Sequence, residues 1–223
     1  RIGARLEPYS GVDLLLHSGR SLDVVTEVET VNTHAALRED FERSAAASVV
    51  VDILDKIAVE GQAEERLFGL ASATLSAMEV AGHDDGGAVG ADQSAGGPPG
   101  APAALHALVS AFMLKAMAMH GYRPELESCA CCAHEVTGGR LFSLEAGGVL
   151  CPQCGDSDGA SLHFSQEGRE LLERLLGATM NEIATAQDID SDALRECFLL
   201  LRSFVNYHLH ARLKALDFYA GMA

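Results

Sequence analysis

Six cysteines are spread unevenly over the 223 residues: five fall between Cys129 and Cys154, and Cys197 stands alone. Cys129 and Cys132 make one C-x2-C pair and Cys151 and Cys154 a second, with 18 residues between the pairs. Two thiols three positions apart in a tight turn can aim both sulfurs at one ion. Two such pairs at this spacing predict a four-thiolate zinc site, one Zn²⁺ per chain. Gly155, directly after the second pair, lets that turn close. A Cys131–Cys132 pairing would break the turn geometry, so Cys131 is read as a spare thiol. His134 is an alternative donor beside Cys132, and its plain reading is a surface histidine. Four thiolates leave no open position for water or substrate, which makes the ion structural.

No other spacing in the chain suits catalysis. A zinc deaminase would need Pro-Cys-x-x-Cys and His-x-Glu; here Pro152 lies inside the second pair and Glu135 follows His134 directly. Phosphate loops, dinucleotide fingerprints, zincin helices and nucleophile elbows are absent from the sequence. The chain is therefore read as a non-enzyme. Cys197 falls on an apolar helical stripe and reads as a small core residue.

Charge narrows the partners. The net charge is −16, from 32 acidic and 16 basic residues. A protein that coats polyanions over its whole surface would not be this acidic, but a local basic patch is compatible with it. Residues 23–92 carry 15 acids against 4 Lys or Arg. Two regions escape this bias. Residues 1–22 hold Arg1, Arg5 and Arg20 against Glu7 and Asp13; residues 194–214 hold Arg195, Arg202, Arg212 and Lys214 against Glu196. At 100° per residue, Arg195 and Arg202 share a helix face and Arg212 lies about 80° away. The plain reading of these arginines is a solvated face; the functional one is contact with DNA or an acidic partner.

The elements that must carry these groups follow from periodicity. Val12–His17 and Leu22–Val31 read as a β-hairpin around Ser18-Gly19-Arg20-Ser21. Two strands do not make a stable domain, so further strands are expected upstream of Arg1. Leu37, Phe41, Ala45, Val49 and Ile53 then predict an amphipathic helix from Ala35 to just before Gly61. Further helices are predicted over Glu64–Ala81, Ala103–His120, Gln166–Met180 and Ser191–Leu216. Ala103–His120 is nearly uncharged and reads as the central buried helix, not a membrane span. Between the second and third helices, residues 82–102 hold 7 Gly and 3 Pro in 21 positions and read as a flexible linker. Leu141, Phe142 and Leu144, then Val149 and Leu150, predict a small hairpin between the cysteine pairs.

Several stretches resemble the RecO family of bacterial recombination mediators. Gly3-Ala4-Arg5-Leu6-Glu7-Pro8-Tyr9 and Leu22–Glu29 look like parts of that family's OB-fold. Gly121-Tyr122-Arg123-Pro124-Glu125-Leu126 before the first cysteine pair is similar to its Gly-Tyr-x-Pro-x-Leu signature. Phe142-Ser143, Ala146–Cys151, Leu200-Leu201-Arg202 and Tyr207-His208-Leu209 also fit. The resemblance implies an α+β chain in which an N-terminal OB-fold β-barrel, only partly present (1–32), precedes an α-helical domain (33–126 and 157–223). A four-Cys zinc module (127–156) is inserted in that domain. It further implies binding to single- and double-stranded DNA, strand annealing, and help in loading RecA on DNA coated by single-strand-binding protein. RecR and the acidic C-terminal tail of single-strand-binding protein would be partners, in the bacterial cytoplasm at the nucleoid. In that picture Arg1, Arg5 and Arg20 contact DNA and Tyr9 stacks on a base. Arg195, Arg202 and Arg212 contact DNA or a partner. The alternative is a zinc-ribbon adaptor that binds only proteins.

Overall fold

A computed structural model describes Gly3 and residues 6–82, 101–136, 141–155 and 161–222. Strands β1 (Gly11–His17) and β2 (Val24–Asn32) pair antiparallel as a hairpin. Helices α1 (Ala35–Glu39), α2 (Phe41–Ile57), α3 (Glu65–Val80) and α4 (Ala101–Met119) follow. The cysteine segment contains β3 (Leu141–Ser143), β4 (Gly148–Leu150) and a single turn, α5 (Pro152–Gly155). Strand β5 (Leu162–His163) and helices α6 (Gln166–Gly177), α7 (Met180–Thr185), α8 (Ser191–Leu209) and α9 (Lys214–Ala220) complete the chain. The chain is thus mixed α and β, with a helical body and a cysteine module. Its sheets are small: β1 with β2, and β4-β3-β5. Among the described residues there is no closed barrel, because two strands cannot close one.

Helix α4 is the axis of the body. It packs on α2, α3, α6, α7 and α8, and Leu105, Leu108, Val109, Phe112, Met113 and Leu114 are at most 1% exposed. Its window Pro102–Met119 is long and apolar enough to cross a membrane, but 67% of it is buried by the other helices, as a core helix should be. The helix starts at Ala101, so the end of the expected linker is helical; Pro102 is tolerated because first-turn N–H groups have no partner to lose. Residues 83–100 of that linker lie outside the described residues.

Two predicted helices are broken. The one expected from Ala35 divides at Asp40, which is extended and caps α2 by accepting a bond from the Arg43 N–H at 2.8 Å. Phe41, placed on the inward stripe by its spacing, instead lies 67% exposed, edge-on to Phe218. The helix expected over Ser191–Leu216 ends at Leu209, where His210 turns left-handed (φ 48°). The chain then reverses so that α9 packs on α2. Asp190, one residue before the expected cap, bonds the Ala193 N–H at 2.8 Å. Helix α7 is unforeseen; a capping box of Thr179 and Glu182 starts it.

Arg43 is 6% exposed, and its guanidinium donates to the Met78, Glu79 and Ala81 carbonyls. These are orphan acceptors at the C-terminal end of α3, where a cation also complements the helix dipole. Lys115 acts alike on α6: its ammonium donates to the Leu176 carbonyl at 2.7 Å, and burial pulls its pKa down.

Candidate metal centre and basic surface

The chain enters the cysteine module through Glu125, whose carboxylate accepts from the Glu127 and Ser128 N–H groups at 3.0 and 2.9 Å. These bonds hold its pKa below the usual carboxylate value. The Glu125 N–H donates to Gly147 and its carbonyl accepts from Val149, which fixes the first cysteine turn against β4. A Cβ on Gly148 would stand 2.5 Å from the Glu125 carbonyl oxygen, so only glycine lets the two backbones meet there. Inside the turn, Cys129 N–H donates to His134, Ala133 N–H donates to Cys129, and Ala133 itself is left-handed (φ 59°). The second pair sits on α5, with Gly155 N–H bonded to the Cys151 carbonyl. Gly155 is needed for space rather than for an unusual turn: a Cβ there would run into the Leu141 side chain.

These turns bring the sulfurs of Cys129, Cys132, Cys151 and Cys154 within 4.8 Å of one another. Cys132 and Cys151 sulfurs are 3.6 Å apart. Four thiolates around one ion at about 2.3 Å would stand about 3.8 Å apart, so the cluster has the size to hold a metal and is compatible with zinc. Cys129 and Cys151 are buried and Cys132 is exposed. Burial raises the Cys129 thiol, but the backbone N–H groups of Cys151, Cys132 and Cys131 outweigh it and bring its pKa to about 6. At Cys132 the His134 N–H lowers the pKa, yet the neighbouring Cys129 and Cys151 thiols and burial leave it raised. Bonds from Cys151 and Cys132 raise Cys154 as well. Four crowded thiols resist ionising together without a cation, and a divalent ion would relieve that conflict.

Cys131 is exposed and outside the cluster. The His134 ring nitrogen Nδ1 lies 3.3 Å from the Cys132 sulfur, at the rim of the site. Cys197 is fully buried in α8, donates to the Gly168 carbonyl at 3.1 Å, and is pushed by burial to a pKa of about 12.

The arginines do not gather into one patch. Arg1 and Arg5 lie outside the described residues, and Arg20 is exposed in the β1–β2 turn. Tyr9 is half-buried and left-handed (φ 67°); its hydroxyl bonds the Ser48 hydroxyl at 2.8 Å and donates to the Ser44 carbonyl. It ties the hairpin to α2. Arg195 is exposed on α8. Arg202 and Arg212 converge on Asp217 of α9, at 2.8 and 3.4 Å, and Arg202 chiefly holds that carboxyl below its usual pKa. Arg212 lies beyond the end of α8, so helix angles do not place it. Sequence reading missed a cleft of about 630 Å³ where Arg66, Lys115 and Arg123 face Glu125, Glu127 and Glu173. The cations come from separate elements, so no sequence run marks them.

Residues 99–217 match the family model for the C-terminal part of recombination protein O. Almost the whole chain is similar to curated proteins described as DNA repair protein RecO. One from Frankia casuarinae is 33% identical over 98% of this chain and 80% of its own length. One from Symbiobacterium thermophilum is 30% identical over 98% and 79%, and one from Thermobifida fusca 29% over 97% and 79%. The family match spans α4 to α9 and so contains the whole cysteine cluster. Taken with the relatives that extend it over the hairpin and α1–α3, it makes this chain a member of the RecO family, with a role in DNA repair and recombination.

Proposed function

We propose that the chain is a non-enzymatic recombination mediator. It binds single- and double-stranded DNA, anneals complementary strands and helps RecA load onto DNA coated by single-strand-binding protein. RecR and the acidic tail of single-strand-binding protein are its protein partners, in the bacterial cytoplasm. The observation that carries this reading is the similarity to DNA repair protein RecO over 98% of the chain. The β1–β2 hairpin belongs to an OB-fold barrel over 1–32; its apolar Leu14, Leu15, Leu16, Val24 and Val31, each 44–67% exposed, support that reading. The helical domain occupies 33–126 and 157–223, and the cysteine module 127–156.

In this reading the metal is Zn²⁺, held by Cys129, Cys132, Cys151 and Cys154. An all-sulfur tetrahedral set favours zinc over hard cations and leaves no reactive position. Bound there, the ion supplies structural cross-linking of the two turns. DNA contacts fall to Arg1, Arg5 and Arg20, with Arg195 and the Arg202–Arg212 pair serving DNA or a partner's acidic tail. Tyr9 would have to surrender its bonds to α2 before it could stack on a base.

The test is fluorescence-monitored annealing of complementary strands coated with single-strand-binding protein. Annealing faster than in protein-free controls is expected. A rate equal to the control, with no binding to bare strands, would favour a protein-only adaptor. Salt titration separates the two readings as well, because phosphate contacts release counterions and weaken steeply with salt. For the metal, one zinc per chain is expected after chelator-free purification.

A further inference from the structure

We propose that Tyr122 and Tyr207 form a base-stacking platform for single-stranded DNA, at the corner where the end of α8 meets the entry to the cysteine module. This rests on the DNA-binding reading above and adds a site on a different part of the molecule from the hairpin arginines.

Two chain reversals build the corner. Gly121 is left-handed (φ 96°) and turns the chain out of α4, presenting Tyr122. His210 is left-handed (φ 48°) and ends α8 just after Tyr207 and His208. Tyr122 stacks on the His208 ring at 4.5 Å and 28°. Phe204 supports the same ring at 4.3 Å, and Tyr207 meets it edge-on at 5.1 Å. The His208 Nε2 atom is buried without a hydrogen-bond partner. Burial also lowers the pKa of this ring, although the Leu144 carbonyl works against that and His210 with it. His208 is thus a neutral aromatic pedestal between two tyrosines.

Both tyrosines are open to solvent, Tyr122 at 38% and Tyr207 at 41%. His120 lies 5.9 Å from Tyr122, and His210 lies 6.4 Å from Tyr207. Scattered exposed rings need no explanation, but a contiguous cluster does. This one is built in a chain with no Trp and only 4 Tyr. Single-strand binders combine such rings with cations that track the backbone. Here Arg123 follows Tyr122 directly, and Arg212, 82% exposed, lies two residues beyond His210. The nearby acids are largely engaged: Asp217 with Arg202 and Arg212, and Glu125 with backbone N–H groups. Glu145 is exposed next to Leu144 and is the unfavourable charge at this corner. In a duplex the base faces are already stacked, so this site selects single strands, whereas arginines on phosphates do not.

The absence of Trp makes the test direct, because protein emission comes from tyrosine alone. Tyr219 is 5% exposed and Tyr9 is half-buried. Quenching by an added strand therefore reports on Tyr122 and Tyr207. The full chain is titrated with oligo-dT and with a duplex hairpin at low salt. Oligo-dT should quench the emission and the duplex should not. Tyr207→Leu should weaken oligo-dT binding about tenfold and leave duplex binding unchanged, and Tyr207→Phe should restore it. Tyr122→Leu should act in the same sense. Unchanged helicity and metal content qualify each variant, and Tyr207→Leu decides if Tyr122→Leu disturbs the fold. Binding of oligo-dT without quenching, or equal affinity in Tyr207→Leu, would overturn the platform while leaving DNA binding intact. Failure of the parent chain to bind either nucleic acid would overturn both.

Discussion

Strands β1 and β2 have seven and nine residues, yet Val28 is their one buried position. Strands β3 and β4 have three residues each, and five of those six are buried. Phe142 of β3 is 1% exposed and packs edge-on against Phe164 and Phe204 of the helical body. The hairpin meets that body through Val28, the Tyr9 hydroxyl, and Arg38, which donates to the Pro8 and Thr33 carbonyls. Ladder length and anchorage are therefore separate quantities. A ladder exchanges water bonds for internal ones at small net gain, whereas buried apolar surface is what fastens a sheet to its neighbours.

Metal removal is the strongest way to break this comparison. Structural zinc contributes about 10–16 kcal/mol in small modules, so chelation or Cys151→Ser should unfold β3, β4 and α5. Hydrogen exchange should then show lost protection across 125–155, while the β1–β2 amides keep their parental rates. Cys131→Ser should retain the metal. Metal retained in full by Cys151→Ser would remove that residue from the site.

The next effect is packing. Phe142→Ala should destabilise the protein by about 3–5 kcal/mol in denaturant unfolding. Leu15→Ala, at a site 58% exposed, should change it by no more than about 0.5 kcal/mol despite lying in the longer strand. Equal losses would show that the hairpin is anchored better than its exposure indicates.

Acid should act on the helical body before the hairpin. His106 stacks on Phe198 at 4.2 Å, and burial lowers its pKa from 6.5 to about 4. Unfolding frees it to take a proton at its ordinary pKa. Its contribution is thus neutral above pH 6.5, and stability falls as pH drops from 6.5 toward 4, by about 3 kcal/mol in total. His106→Leu should flatten that part of the stability–pH curve.

The smallest effect is at a cap. Asp190→Ala removes the side-chain acceptor for the Ala193 N–H and should cost about 1 kcal/mol. A larger loss, with exposure of the Cys197 thiol to reagent, would mean that the α8 N-terminus also anchors the module-bearing core.

Much of this was legible along the chain. Two C-x2-C pairs mark the cluster because each pair needs only one local turn to aim its sulfurs. The uncharged Ala103–His120 stretch marks the central helix, because a side-chain set without charge has to be covered on most faces. Breaks at Asp40 and His210 were not legible. Apolar periodicity continues across both, and only a bend lets α1 and α9 pack where they do. The capping box at Thr179 was present in the sequence and could have located α7.

Spacing and periodicity, then, belong to the chain itself: they set where the thiols pair, which helices form and which residues face a core. The assignments that join distant residues do not. Arg43 finds its carbonyls 35–38 positions away, Lys115 finds Leu176 at 61, and Arg202 meets Arg212 over Asp217. The meeting of Tyr122 with His208 is of the same kind. A charge or a ring in the sequence states only what it can bond to. Which partner it meets depends on how the helices pack, and that is decided by burial summed over the whole core.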